Sequence, residues 1–122
     1  MKRQILFTLG CLVITISLLS MKNNVVDPTE GDAKAGKAIF TGAGNCFVCH
    51  GITGKPAIPG VPNFSKGERL EKDNATLMKS IKIGVAKPKS PGAPPMPPYG
   101  GGAKLTDSQI LDIIAFIRSL KK

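Results

Sequence analysis

The chain has 122 residues, enough for one small domain, and a formal charge of +9. Its basic residues are scattered rather than clustered, and it has one tyrosine and no tryptophan. That pattern argues against nucleic acid as the partner that balances the charge. An acidic protein partner or an anionic membrane surface fits it, as does a plain solvated surface.

Lys2 and Arg3 precede an uncharged apolar stretch from Ile5 to Ser20, the charge-then-apolar pattern of an export segment. The stretch is short of the ~20 residues of a spanning helix. Leu18-Leu19-Ser20, however, is a poor cleavage site. Residues 1–21 therefore read equally as a cleaved signal or as a retained anchor, with a membrane tether through residues 4–21. In both cases the remainder is expected on the exported, periplasmic side. Cys11 reads as a small hydrophobe of this apolar segment rather than an acylation site. Without Lys2 and Arg3 the formal charge drops from +9 to +7.

Residues 22–28 read as a polar linker and residues 29–122 as the folded domain. Thr29 is the expected cap of a first helix, with the acidic Asp32 three residues later. The helix runs through AKAGKAIF, with Ala35, Ile39 and Phe40 on its apolar side, and stops at Gly42-Ala43-Gly44. Gly36 inside it costs about 1 kcal/mol relative to alanine, which predicts that another backbone comes close there.

After NCFVCHG, the segment from Gly51 to Asn63 is loop, punctuated by Pro56, Pro59 and Pro62. Asp73 or Asn74 is expected to cap a middle helix with Leu77, Met78 and Ile81 at helical spacing and Gly84 as terminator. Six of the ten prolines then fall between Pro88 and Pro98, so this segment is neither helix nor central strand. Thr106-Asp107-Ser108-Gln109 is a capping box ahead of a last helix. Ile110, Ile113, Ile114, Ile117 and Leu120 share one of its faces, and Arg118, Lys121 and Lys122 suit its C-terminal dipole. The fold class is small, all-α and loop-rich, with few large aromatics, and such a domain is helped by a bound prosthetic group.

Cys46, Cys49 and His50 form C-x-x-C-H, which admits three chemistries. A dithiol oxidoreductase carries its pair within alternating strands and helices, a pattern absent here. Structural zinc wants four ligands, and no second pair is available. The third reading is the attachment signature of c-type haem. Cysteines at i and i+3 share a helical face and can form thioethers with two vinyl groups along one porphyrin edge. His50 then follows as proximal iron ligand. No second histidine exists, so a sixth ligand must come from methionine. Met78 sits at core spacing, where packing is the simpler reading. Met96 lies in PGAPPMPPYG, where flanking prolines reduce the freedom of the unbound loop. The competing reading of that segment is a proline-rich linker or recognition site.

GKAIF, CFVCHG, GVPNF, MPPYGG and LTDSQILDIIAFIRSL follow one another in this order. In this the chain from about Gly31 to Leu120 resembles the class I monohaem c-type cytochromes. The resemblance implies the small cytochrome c fold, with three to four helices around one covalently bound haem c. It implies thioethers at Cys46 and Cys49, with His50 and Met96 as axial ligands. The Pro62 carbonyl would accept the Nδ1–H of His50. Tyr99 would pack on the haem or bond a propionate. Gly36 and Phe40 would meet Phe116 and Ile117 where the first and last helices cross. The loop from Gly84 to Met96 departs from the family's usual loop in its lysine and proline content.

The expected function is electron transfer between redox partners, without an enzymatic reaction of its own. Lys55, Lys66, Lys72, Lys82, Lys87, Lys89 and Lys104 are candidates for steering acidic redox partners to the haem edge. The rival readings are a haem enzyme or gas sensor with a displaceable methionine, and a fixed subunit of a respiratory complex.

Overall fold

The computed structural model describes residues 30–87 and 91–122. The export segment, Cys11, the linker, Thr29 and Lys89 lie outside the described residues. Among the described residues four α-helices follow in order: α1 (Ala33–Thr41), α2 (Phe47–His50), α3 (Asn74–Ile83) and α4 (Asp107–Ser119). Two 3₁₀ turns, Phe64–Lys66 and Pro98–Gly101, punctuate the loops. Among the described residues there is no strand, only an isolated antiparallel bridge between Val85 and Met96. The all-α expectation holds, and no described helix is long and apolar enough to cross a membrane.

The start of α1 differs from the Thr29 expectation. Gly31 sits at φ 71, off the helical path, so the helix begins only after it. Asp32 is the cap, its carboxylate accepting from the Lys34 and Ala35 amides at 2.7 and 3.3 Å. The Asp32 amide in turn donates to the Asp112 carboxylate at 2.7 Å, which ties the entry of α1 to the middle of α4.

α1 packs across α4. A Cβ on Gly36 would collide with the Asp112 carbonyl and lie 2.8 Å from the Ile113 nitrogen. The expected close approach is therefore present, but Gly36 meets Asp112 and Ile113, about one turn before Phe116 and Ile117. Phe40 meets Phe116 edge-on, with ring centroids 5.1 Å apart. Phe40, Ile110, Ile113 and Ile114 are fully enclosed, and each such side chain contributes about 1.5–3 kcal/mol by burial.

α3 closes the other side of the core with Leu77 and Ile81, while Met78 is half-buried against the cluster, as core spacing implied. Asp73 caps it and Gly84, at φ 73, ends it. Arg118 of α4 reaches across to α3, donating to the Asn74 side chain and, at 2.8 Å, to the Lys72 carbonyl. At the opposite end Lys82 pairs with Asp107 at 2.6 Å. This exposed contact is worth at most about 1 kcal/mol. The Thr106–Gln109 capping box forms as expected.

Candidate cofactor site

The approach to Cys46 is built from tight backbone geometry. The chain leaves α1 through Gly44, whose amide donates to Ile39, and Asn45, which takes the left-handed conformation at φ 51. The Cys46 amide then donates to the Phe40 carbonyl at 3.1 Å, fixing the cysteine directly on the α1 core residue. The His50 amide donates to the Cys46 carbonyl at 3.0 Å, so Cys46 to His50 form a single helical turn. Gly51, at φ 72, ends the turn where a Cβ would strike the Lys55 carbonyl.

The two thiols are not joined to one another. Cys46 is buried and its thiol donates to the Gly44 carbonyl at 3.3 Å. Burial pushes its pKa up to about 11, with the neighbouring Cys49 adding to the rise against a backbone hydrogen bond that lowers it. The sulfur is thus held as a neutral thiol. Cys49 is half-buried.

His50 is buried with its ring stacked on Phe64, the centroids 4.6 Å apart and the planes inclined by 14°. Burial lowers its pKa, so the imidazole is held neutral, the form that ligates metals. The Pro62 backbone acts in the other direction, raising that pKa. It stays outside hydrogen-bonding geometry, however, and the buried Nδ1 has no partner among the described residues. Pro62 itself lies in the wall of the cleft that holds His50.

These groups line a cleft of about 320 Å³ together with Pro62 and Met96, a size within the ~300–1,000 Å³ range of cofactor sites. Phe40, Leu77, Ile81, Ile113 and Ile117 form its apolar floor, and among the described residues no carboxylate lines it. The cleft fits a covalently attached haem: two thiols one helical turn apart, a neutral histidine and a thioether face a common apolar space. Among the described residues, no three histidine, cysteine or acidic side chains gather as an ordinary metal-ion site would need.

Met96 is carried by the proline segment and is fixed at two points. Its amide and carbonyl pair with those of Val85, at 3.0 and 2.8 Å. Beyond it, the turn at Pro98–Gly101 docks on the loop leading to Cys46, where the Ala103 amide donates to Ala43 at 3.1 Å. A Cβ on Gly100 would lie 2.8 Å from the Gly44 carbonyl, which accounts for the first glycine of MPPYGG, while Gly101 sits at φ 78. Tyr99 takes φ 52 within this turn. It lines a neighbouring groove with Lys82, Ile83 and Lys104, and is absent from the cleft that holds His50.

Of the lysines nominated from sequence, Lys72 and Lys87 line the cleft; Lys55, Lys66, Lys82 and Lys104 do not. Arg69 lines it too, from a left-handed backbone position at φ 69 that sequence reading passed over. Thr76 and Ser80 add hydroxyl groups from α3. Their spacing of four on one helix face was the available signal.

Residues 33–121 match the family model described as Cytochrome c. The chain is also 38% identical over 69 residues to a lupanine 17-hydroxylase [cytochrome c] of Pseudomonas sp.. That match covers 55% of this chain but only 9% of the relative's length. No solved structure matches. With the family pattern extending over the whole helical domain and Cys46, Cys49 and His50 gathered at one cleft, the chain belongs to the cytochrome c family, haem-based electron-transfer proteins with covalently bound haem c.

Proposed function

We propose that this protein is a one-electron carrier in which Cys46 and Cys49 hold the haem by thioethers and His50 and Met96 ligate its iron. The observation that carries the reading is the convergence of these four side chains on one apolar cleft. Bound haem c supplies the one-electron chemistry. With His50 and Met96 both ligating, no coordination site would be left for a substrate, and the thioether would raise the reduction potential relative to a second histidine.

The chain's own residues do the rest. Phe64 fixes the plane of the His50 ring by stacking. Pro62 lines the cleft with His50, and its carbonyl would be the acceptor that orients the ligating imidazole through Nδ1–H. The apolar floor keeps water from the iron. Tyr99 turns the backbone after Met96 from its left-handed position, and its ring would pack on the haem or bond a propionate.

Arg69, Lys72 and Lys87 give the cleft a cationic rim, which favours acidic redox partners. Residues 1–21 act as signal or anchor ahead of a linker at 22–28, and residues 29–122 work on the periplasmic side. A relative named as a hydroxylase with a cytochrome c favours a second reading, in which this chain takes electrons within a larger enzyme system.

The test is the optical spectrum of the ferric holoprotein. The methionine-to-iron charge-transfer band is expected in the wild type and lost in Met96→Ala. A wild type without the band, whose reduced form binds carbon monoxide rapidly, overturns the carrier reading in favour of ligand-binding chemistry.

A further inference from the structure

Met96 belongs to a loop with almost no regular structure of its own, yet one short contact fixes it at the level of its own peptide groups. The Val85 amide donates to the Met96 carbonyl at 2.8 Å, and the Met96 amide donates to the Val85 carbonyl at 3.0 Å. This is a closed antiparallel pair. Val85 follows directly on Gly84, the residue that ends α3, so the pair ties Met96 to a helix end. Gly84 admits this closure in two ways. It takes φ 73, where only glycine is unstrained. A Cβ there would also collide with the Met96 carbonyl oxygen and lie 2.9 Å from the Pro98 nitrogen.

We infer that Gly84 and Val85 are positioning residues that hold Met96 over the cleft through this backbone pair, and so determine whether the sixth coordination position stays closed. The inference rests on Met96 ligation as proposed above. A thioether is a weak ligand, and a loop free to move would surrender it to a competing molecule. Proline content restrains the unbound loop but does not say where the sulfur sits. The pair does, because α3 is anchored by Leu77 and Ile81 in the core and passes its position directly to Met96. Other described contacts of the loop, the approach of Pro91 and Ala93 to Gly60 before the methionine and the Pro98–Gly101 turn beyond it, hold its flanks rather than the Met96 peptide groups themselves.

The experiment uses the holoprotein with four readouts: the charge-transfer band, carbon monoxide association to the reduced form, midpoint potential and amide hydrogen exchange. Val85→Pro removes one donor of the pair, and Gly84→Ala drives a methyl group into the Met96 carbonyl. Both are expected to lose the band, bind carbon monoxide at least tenfold faster and shift to lower potential. Gly92→Ala is the control: Gly92 has the same handedness, at φ 79, but a Cβ there meets nothing within 4 Å. It is expected to keep the band.

Where a variant fails to fold, hydrogen exchange in the reduced wild type decides. The Val85 and Met96 amides are expected to exchange at least a hundredfold slower than unpaired amides of the same loop. Exchange at the rate of unpaired amides overturns the inference, as does retention of the band and carbon monoxide inertness in Val85→Pro. A wild type that lacks the band and binds carbon monoxide rapidly sinks Met96 ligation itself, a different result from failure of the clamp.

Discussion

Gly36 and Asp112 touch through their backbones where α1 crosses α4, with no room for a methyl group between them. An exposed Gly→Ala change in a helix gains about 1 kcal/mol of helix propensity. Here the gain is outweighed, because the obstacle is a backbone carbonyl that cannot rotate away. Gly36→Ala is expected to destabilise the holoprotein by about 3 kcal/mol, the upper end for overpacking. Guanidinium unfolding measures it, and a more stable variant contradicts the crossing.

Phe64 lies face to face with His50. Phe64→Leu nearly conserves apolar bulk, so its stability cost is expected to be about 1 kcal/mol. It removes the flat surface that sets the imidazole plane. The expected result is a change in the ferric electron paramagnetic resonance g-values out of proportion to that small loss. Unchanged g-values mean that something other than Phe64 sets the plane.

Arg118 joins the last turn of α4 to the start of α3 by two hydrogen bonds from its guanidinium. Arg118→Met keeps the apolar stem and loses the charged donors, at an expected cost of about 1.5–3 kcal/mol. Lys121→Met, at an exposed position three residues on, is expected to cost almost nothing. Equal costs for the two would mean that the bridge contributes nothing in solution.

Hydrogen bonds from the Thr76 backbone and hydroxyl hold Asp73 below its ordinary carboxylate value of 3.8, against an opposing desolvation effect, with lesser help from the Lys72 and Arg118 charges. Its contribution to stability is therefore fully present above pH 3.8 and is lost as the pH falls through the lower folded value. Asparagine caps helices well but carries no proton equilibrium. Asp73→Asn is expected to flatten the fall in stability in this acid range, read from urea midpoints between about pH 2 and pH 5. An identical acid profile for the two proteins would remove Asp73 from the balance.

Arg69, Lys72 and Lys87 line the cleft, and among the described residues no acidic side chain joins them in its walls. Changing all three to glutamine is expected to slow oxidation by ferricyanide, a trianionic one-electron oxidant, by about tenfold at low salt. The difference from wild type should vanish as salt shortens the Debye length. Lys55→Gln with Lys104→Gln, away from the cleft, is the comparison. An equal effect from that pair assigns the steering to net charge rather than to the rim.

Short-range chemistry was legible without any structure. The capping box at Thr106, the terminator at Gly84, the helical face of α4 and the turn from Cys46 to His50 depend on neighbours within about four residues, where spacing and geometry are coupled directly. Met96 also stood out, because prolines in place of a packing pattern leave a methionine little other use. Even so, local reading misplaced the start of α1, since the left-handed turn at Gly31 and the bond from Asp32 to Asp112 involve a partner eighty residues away.

What only the tertiary structure decided was which surfaces those local pieces share. It moved the Gly36 contact to Asp112, turned Arg118 from a dipole-balancing charge into a bridge, and set Tyr99 in a groove beside the cleft. It chose Lys72, Lys87 and the unforeseen Arg69 out of a scattered basic population. It also joined Val85 to Met96. The residue types and their order set the chemistry of this protein. The crossing of α1 and α4 and the closure of the loop after α3 set where that chemistry points, because packing brings distant backbones into contacts that no sequence interval encodes.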